Sequence, residues 1–298
     1  MPVRENKMND VKCEICGATD ARLHHDQGYR KLCRCLGCGV VYVHPLPTWE
    51  EKEEIEAAAF ADEMLSETVE FFDAYGADFR EDNVIKAFRR VVALLSKYVE
   101  PGRMLDVGPG TGVFMHLCAE EGWDPRGIDF TTQSAETAKA EFDVHVDVGN
   151  FFYYPYEPES FDCVSMNDVL EHSLNPVEFL QRAHSLIRPG GLVSIAVPSQ
   201  YSLFTLLVDI WVWMGGAGKG YLLDRLYVKP HLYYFGPRQL RSTMERAGYE
   251  IIHLEGGNVA LERYKIPGWI RFLSQLVLRS GALIGMSGRV HAIGRKRG

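Results

Sequence analysis

Short apolar runs alternate with apolar residues at helical spacing along the chain from about residue 103 onward. The runs, which are typical of buried strands, lie near 103–108, 125–129, 143–147, 161–167 and 192–197. The helically spaced residues, which are typical of amphipathic helices, lie near 112–122, 132–141 and 175–188. This regular alternation predicts an α/β fold whose strands form a parallel sheet through right-handed crossovers.

The same patterns continue on both sides of this core. Before it, apolar residues recur at helical spacing over 84–98, and Pro101 ends that helix. After it, an aromatic-rich insertion covers 198–236 and a helix begins at Pro237. The remaining predicted elements are a strand near 249–254, a helix near 268–285 and a final strand near 289–294.

Five of the seven cysteines lie between residues 13 and 38. Four of them form two C-x2-C-G knuckles, which are Cys13 with Cys16 and, after eighteen residues, Cys35 with Cys38. Each knuckle turns two sulfurs towards one tetrahedral ion, so the spacing predicts a structural Zn²⁺ site in a zinc ribbon. A segment of about 40 residues buries too little apolar surface to fold alone, and the metal supplies the missing free energy. The neighbouring candidates without a matching spacing are Cys33, His24 and His25.

These patterns divide the chain into a zinc ribbon at 1–46, a helical linker or cap at 47–83 and a large domain at 84–298. A length of 298 residues with 46% hydrophobic content suffices for one such domain with a small appendage. The net charge of -8 and the isoelectric point near 5.7 argue against an extended nucleic-acid interface. The first residues contain no apolar signal segment, which indicates a cytoplasmic protein.

Residues 104–115, MLDVGPGTGVFM, carry a strand through a glycine-rich turn into a helix. Gly108 and Gly110 allow a sharp bend and a close approach of the backbone to a ligand. The spacing G-x-G-x-G is one residue short of the dinucleotide fingerprint, and no Lys-Ser/Thr pair follows to make a phosphate loop. Asp106, at the end of the strand, would repel a pyrophosphate but suits a ligand that carries an ammonium group and a sulfonium.

A second acid, Asp129, ends the next predicted strand, about 20 residues downstream, where an acid holds ribose hydroxyls. Together the two motifs resemble the S-adenosylmethionine-dependent methyltransferases with the Rossmann-like fold. The stretches FDCV at 161–164, NDVLEH at 167–172 and IRPGG at 187–191 resemble further motifs of that family. A zinc ribbon joined to the domain through a Pro-x-Pro turn is similar to the leader of some bacterial small-molecule methyltransferases.

The resemblance implies a Rossmann-like, seven-stranded, mostly parallel sheet with one antiparallel strand and helices on both faces. It also implies S-adenosylmethionine as cofactor, held by Asp106, Gly108, Gly110 and Asp129. The other cofactor-binding candidates in the matching stretches are Gly112, Phe130, Asn150, Phe151 and Asn167. Where many relatives have Gly-Asp beside the adenine, this chain has Gly149-Asn150, and the amide can still form a hydrogen bond.

Methyl transfer from a sulfonium is a direct displacement, and a hydroxyl or carbon-acid acceptor must also lose a proton. Two histidines are candidate catalytic bases. His172 follows the fourth strand of the sheet, and His231 lies among aromatic residues of the insertion, where the acceptor must enter. We therefore predict O- or C-methylation of a small acceptor, such as a sugar, a lipid-linked molecule or another partly apolar metabolite.

Two other functions stay open at this point. In the first, the ribbon binds RNA through four basic residues, Arg22, Arg30, Lys31 and Arg34, although solvated surface charge is the commoner explanation for them. In the second, the protein is a nicotinamide-dependent oxidoreductase, which would require a pyrophosphate to lie beside Asp106.

Two apolar segments, 203–214 and 269–284, are shorter than the roughly 20 residues that a membrane-spanning helix needs. They can pack on each other as a lid and wall of the acceptor pocket, or they can dock to a membrane surface. Three tryptophans in them, Trp211, Trp213 and Trp269, suit an interface. The basic residues that would attract anionic lipid are Arg263, Lys265, Arg271, Arg279, Arg289, Arg295, Lys296 and Arg297.

Overall fold

The computed structural model describes residues 7–8, 12–63, 83–216, 218–257 and 268–297. Its strands are β1 (Lys7–Met8), β2 (Ala21–Asp26), β3 (Lys31–Cys35), β4 (Val41–His44), β5 (Arg103–Val107), β6 (Asp124–Asp129), β7 (His145–Val148), β8 (Phe161–Asn167), β9 (Ile187–Pro198), β10 (Tyr233–Tyr234), β11 (Tyr249–Gly257) and β12 (Arg289–Lys296). The larger sheet has the order β11-β12-β9-β8-β5-β6-β7. β12 runs antiparallel to both of its neighbours, and the other neighbouring strands pair in parallel. The predicted seven-stranded sheet with one antiparallel strand is therefore confirmed.

Helices cover both faces of this sheet. The helices of the described residues are α1 (Trp49–Glu63), α2 (Asn83–Tyr98), α3 (Val113–Glu120), α4 (Thr132–Phe142), α5 (Pro176–Leu186), α6 (Leu203–Trp213), α7 (Lys219–Leu226), α8 (Pro237–Arg246) and α9 (Gly268–Leu283). Because successive residues of a strand point to opposite faces, Met104 and Cys163 pack with α2 and α3, whereas Leu105 and Val164 pack with α5 and α8. The predicted two-sided α/β architecture is confirmed.

One strand begins earlier than predicted. The strand predicted near 192–197 already begins at Ile187, so the IRPGG stretch at 187–191 belongs to β9. Gly190 has a φ of 79°, and the pairing of β8 with β9 shifts register between Phe161 and Cys163. A glycine-bearing bulge thus allows the backbone to bend without leaving the sheet.

The second sheet joins the ribbon to the insertion. Its order is β1-β2-β3-β4-β10, and β10 belongs to the predicted insertion at 198–236. Tyr233 lies opposite Tyr42, and Tyr234 lies opposite Val41, in an antiparallel pair. The ribbon is therefore continuous with the segment expected to cover the acceptor site. Of the predicted linker, α1 is described, whereas 64–82 lies outside the described residues.

Candidate active site

Three glycines shape the turn between β5 and α3. Gly108, Gly110 and Gly112 have positive φ values of 65°, 55° and 83°. A Cβ on Gly108 would lie 2.7 Å from the Val169 side chain, and one on Gly112 would lie 2.8 Å from Ala138, so these two glycines permit close packing. A Cβ on Gly110 would meet no atom within 4 Å. Gly110 therefore faces open space into which a ligand can approach the backbone.

Asp106 lies beside this turn at the end of β5. Its side chain is buried, and Oδ1 accepts a hydrogen bond from Ser165 Oγ at 2.5 Å. Burial raises the pKa of Asp106 to about 7, while the hydrogen bond from Ser165 opposes that rise and the charge of Asp129 adds to it. A buried carboxyl in this environment is stabilised in its ionised form by a cation, which matches the ammonium group of an amino acid ligand.

Asp129 lies at the end of the neighbouring strand β6. Its Oδ1 accepts hydrogen bonds from the Thr131 N–H and hydroxyl, both at 2.9 Å. Both bonds fall on one carboxylate oxygen, so Oδ2 is the atom that could bind a ligand hydroxyl. The next residue, Phe130, is 49% exposed and packs against Trp49 of α1, with 6.0 Å between the ring centroids. The cap helix α1 therefore lies next to the predicted cofactor-binding residues.

Three further predicted cofactor-binding residues have different environments. The Asn150 Oδ1 accepts the Phe152 N–H at 2.8 Å, which leaves the Asn150 amide donors for other partners. Phe151 is 2% exposed and packs on Phe179 with 4.9 Å between ring centroids, so its side chain belongs to the core. Asn167 Nδ2, at the carboxyl end of β8, is buried without a hydrogen-bond partner among the described residues. A buried donor without a partner favours a ligand contact at that position.

The two candidate bases come together at the same edge of the sheet. His172 ends a 3₁₀ turn over Leu170–His172, and His231 lies in the loop before β10. Their ring centroids are 4.8 Å apart, with an angle of 84° between the planes. Burial lowers the pKa of His172 to about 4 and, with the neighbouring His172, lowers the pKa of His231 well below its ordinary value. Burial thus favours the neutral form of both imidazoles, which is the form that can accept a proton.

Glu171 belongs to this cluster, although no role was predicted for it. It is 1% exposed, and its Oε1 lies 3.9 Å from His231 Nε2. Neither carboxyl oxygen has a hydrogen-bond partner within the described residues. Burial, with the charge of Asp168 adding to it, raises the pKa of Glu171 well above its ordinary value. The only sequence signal was an acid directly before a candidate base in the NDVLEH stretch.

Arg30 of the ribbon holds the loop that carries His231. Its guanidinium donates hydrogen bonds to the carbonyl oxygens of Tyr227 (2.6 Å), Val228 (2.8 Å), Lys229 (2.7 Å) and His231 (3.2 Å), and to the Tyr234 hydroxyl (3.1 Å). Arg34 donates to the Tyr201 hydroxyl at 3.0 Å. Two of the four basic residues considered for RNA binding, Arg30 and Arg34, therefore form hydrogen bonds within the protein. Arg30 was missed as a site residue because its partners lie about two hundred positions away in the sequence.

The four predicted cysteines converge in the ribbon. The Sγ atoms of Cys13 and Cys38 are 3.8 Å apart, and those of Cys16 and Cys35 are 3.4 Å apart. Sulfur atoms bound tetrahedrally to one zinc ion at about 2.3 Å lie about 3.8 Å from one another. Cys33 is buried outside this group. The arrangement fits the predicted four-thiolate set.

The seven-stranded sheet with a glycine turn after β5 has the Rossmann-like architecture of the S-adenosylmethionine-dependent methyltransferases. The chain belongs to the methyltransferase domain family, whose profile matches residues 77–254. The matched segment begins after the ribbon and includes β5 to β10. This result replaces the nicotinamide-dependent oxidoreductase that the sequence had left open.

Curated relatives agree with this family. The ubiquinone biosynthesis O-methyltransferase of Ralstonia nicotianae is 29% identical over 162 residues, which are 52% of this chain and 65% of that protein. The ubiquinone biosynthesis O-methyltransferase of Burkholderia thailandensis is 27% identical over 165 residues, which are 52% of this chain and 68% of that protein. The similarity therefore spans about two thirds of the length of these relatives.

Solved structures share the fold. A SAM-dependent methyltransferase from Archaeoglobus fulgidus superposes with a TM-score of 0.51 and 18% identity, over 72% of this chain and 93% of that one. A SAM-dependent methyltransferase from Thermotoga maritima superposes with a TM-score of 0.53 and 18% identity, over 77% of this chain and 96% of that one. Both superpositions cover nearly the whole length of the solved proteins and about three quarters of this chain.

Proposed function

We propose that this protein methylates a hydroxyl oxygen of a small, partly apolar acceptor. The observation that carries the proposal is the cluster of Glu171, His172 and His231. One ring nitrogen or carboxyl oxygen of each residue lies within 4.8 Å of the others. The cluster adjoins the glycine turn, because Gly108 packs against Val169 directly before the 3₁₀ turn. The relatives named O-methyltransferases support oxygen as the acceptor atom.

S-adenosylmethionine, when bound, supplies an electrophilic methyl group on a sulfonium. The residues that would hold it are Asp106 at the amino acid portion, Asp129 at the ribose, and Asn150 at the adenine. Asp106 has the buried carboxyl that an ammonium group stabilises, and Asp129 has one carboxylate oxygen left to accept from a hydroxyl. Gly110 leaves the space through which the backbone meets the ligand.

The chain's own contribution to chemistry is to remove the acceptor proton and to exclude water. We infer that His231 accepts this proton, because it lies in the insertion predicted to cover the acceptor site, with its ring centroid 4.8 Å from that of His172. The Glu171 carboxyl lies 3.9 Å from His231 Nε2 and would help to position the His231 ring. His172 packs edge-on against His231 and limits its rotation.

The affinity for S-adenosylhomocysteine should fall as the pH is lowered below about 7. Only ionised Asp106 attracts the ammonium group, and its pKa is raised to about 7, so the binding-competent fraction of the free protein declines below that pH. Affinity then drops by up to about tenfold per pH unit. Calorimetry between pH 8 and pH 5 measures this slope, with NADH as the negative control ligand. Asp106→Asn should bind weakly with a flat profile, and a flat wild-type profile would contradict the assignment.

We propose that the four ribbon cysteines bind a structural zinc ion. Their Sγ separations are close to those of a tetrahedral thiolate site, and Gly17 and Gly39, with φ values of 74° and 79°, close the two knuckles. The ion would keep the ribbon folded, and the ribbon in turn supports the His231 loop through β10 and Arg30.

We further propose that helices α6, α7 and α9 rest on an anionic membrane surface from which the acceptor is taken. The two apolar segments pack on each other as expected, since Gly281 of α9 lies against Leu203 of α6. Their outer faces remain exposed. The large apolar side chains exposed on these helices and just after them are Phe204, Leu206, Leu207, Ile210, Trp211, Trp213, Met214, Tyr221, Trp269, Phe272, Leu273, Leu276, Leu283 and Ile284. In the part of the chain that the structure describes, no helix is both long and apolar enough to cross a bilayer.

The charges of these three helices favour anionic lipid. They contain two acids, and both side chains bond to the ribbon: Asp209 lies 2.8 Å from His25 Nε2, and Asp224 accepts from Gln27 at 2.9 Å. The basic residues in the same helices are Lys219, Arg225, Arg271 and Arg279. Two cations expected at this surface are engaged elsewhere, since Arg289 pairs with Asp168 and Lys296 pairs with Glu159. Arg263 and Lys265 lie outside the described residues.

Vesicle co-sedimentation tests the membrane surface. We expect wild-type protein to sediment with vesicles of anionic phospholipid at low salt, and to release as salt rises. Trp213→Ala combined with Trp269→Ala should lower the bound fraction several-fold, because each removes an exposed indole that an interface would bury. Tyr153→Ala is the matched control, since Tyr153 is as exposed as Trp213 but lies in the loop after β7. Equal binding by all three proteins, or no binding at low salt, would exclude this surface.

A further inference from the structure

A second group of metal-ligating side chains lies between the ribbon and the insertion. His24 and His25 come from β2, and Asp209 comes from α6. One ligand atom from each of the three residues lies within 4.8 Å of the others. None of them belongs to the four-cysteine cluster or to the cluster around His231.

A bulge in β2 makes this arrangement. Consecutive residues of a regular strand point to opposite faces of the sheet. The pairing of β2 with β3 shifts register between Leu23 and His25, and the rings of His24 and His25 end with centroids 4.2 Å apart. Bulges of this kind re-aim side chains and are common beside functional sites. Two adjacent histidines therefore present ring nitrogens to one acid.

The distances suit a single ion. Asp209 Oδ1 lies 2.8 Å from His25 Nε2, and Asp209 Oδ2 lies 3.6 Å from His24 Nε2. The Tyr227 hydroxyl lies 2.9 Å from His24 Nε2 and 3.2 Å from Asp209 Oδ1. Nitrogen and oxygen ligands of one zinc ion, at about 2.0–2.2 Å from it, stand about 3.3–3.6 Å apart in a tetrahedron, so the two shortest pairs here would separate by about half an ångström. The four donor atoms need little movement to surround a metal.

The surroundings favour ligation. The side chains of His24, His25 and Asp209 are 12%, 10% and 21% exposed, and Tyr227 is fully buried. Asp209 is the single charged residue of α6, a helix otherwise made of apolar residues and one threonine. A divalent cation would neutralise this partly buried carboxylate.

We infer that His24, His25 and Asp209 bind a divalent transition-metal ion of the class that imidazole and carboxylate prefer, with zinc as the first candidate. The Tyr227 hydroxyl oxygen would be the fourth donor. The ion would tie the ribbon strand β2 to helix α6 of the insertion. It would also lie near the acceptor entrance, because Gln200, two residues after the end of β9, donates to the Tyr227 hydroxyl at 2.5 Å.

Cobalt titration of the full chain tests this site. After metal is removed with a chelator under reducing conditions, wild-type protein should bind two equivalents of Co²⁺. One equivalent should give the intense near-ultraviolet band of cobalt thiolate, and the other should give only weak visible bands. His24→Gln and Asp209→Asn should each lose the second equivalent and keep the thiolate band.

The controls separate ligation from folding. His44→Gln alters a histidine of the same ribbon outside the group and should still bind two equivalents. Asp209→Asn changes the insertion, so it gives an independent result if the ribbon variant His24→Gln folds poorly. The site is refuted if wild-type protein binds only the thiolate-bound equivalent, or if His24→Gln and Asp209→Asn keep the second one. In that case the group is a hydrogen-bonded contact between the ribbon and α6. Neither outcome depends on methyl transfer.

Discussion

Replacing His231 by alanine is expected to lower turnover by about 10²-fold or more while the affinity for S-adenosylhomocysteine stays unchanged. The acceptor hydroxyl would then have no neutral imidazole to take its proton, which removes transition-state stabilisation without touching the cofactor residues. Steady-state turnover at saturating acceptor, together with calorimetry of cofactor binding, measures both parts of this expectation.

Two matched variants define what the His231 result means. His172→Ala should lower turnover less, because it removes a packing partner of His231 and leaves the base itself in place. His184→Ala should leave turnover unchanged, since that half-buried histidine packs on Tyr249 at the opposite end of the sheet. If His231→Ala stays active and His172→Ala does not, the two histidines exchange roles.

Loss of a ribbon cysteine is expected to remove one zinc ion per chain and to reduce turnover by about as much as His231→Ala does. Cys16→Ser and Cys38→Ser each leave three thiolates, and the ribbon needs the ion to stay folded. The effect reaches the active site because β10 pairs with β4, and because Arg30 bonds the carbonyl of His231 and three others in its loop. Metal analysis and turnover of the full chain give the two readings.

Two comparisons make the ribbon prediction specific. Cys33→Ala changes a buried ribbon cysteine outside the four-thiolate group and should keep both zinc and activity. Arg30→Ala should keep zinc but lower turnover, since only the support of the His231 loop is lost. Full activity in a zinc-free Cys16→Ser protein would show that the ribbon does not support the site.

The local parts of the site could be predicted from the sequence. The glycine turn, the acids at the ends of β5 and β6, and the cysteine knuckles are each encoded within a few residues, because turn chemistry and ligand spacing are local. His172 and His231 were also chosen from local context, and the structure brings them into contact. The roles of all these residues remain predictions that the experiments above test.

The long-range parts could not be predicted. The pairing of Tyr42 with Tyr233 and the bonds of Arg30 join segments separated by roughly two hundred residues, and no local pattern encodes such contacts. His24 and His25 were left unassigned because they have no matching ligand spacing. A regular strand would turn them to opposite faces, and the bulge aligns them. Phe151, predicted beside the cofactor, has its side chain in the core, since its packing with Phe179 is a tertiary feature.

The measurement that tests the central claim most directly is isotope-traced methyl transfer. The full chain is incubated with S-adenosylmethionine carrying a deuterated methyl group and with a metabolite extract in detergent micelles, and the labelled products are identified by mass spectrometry. We predict a small-molecule product with the label on oxygen, absent from the His231→Ala reaction. Label found on RNA, on protein or on a carbon or nitrogen atom, or no labelled product from a protein that binds S-adenosylhomocysteine, would contradict the account.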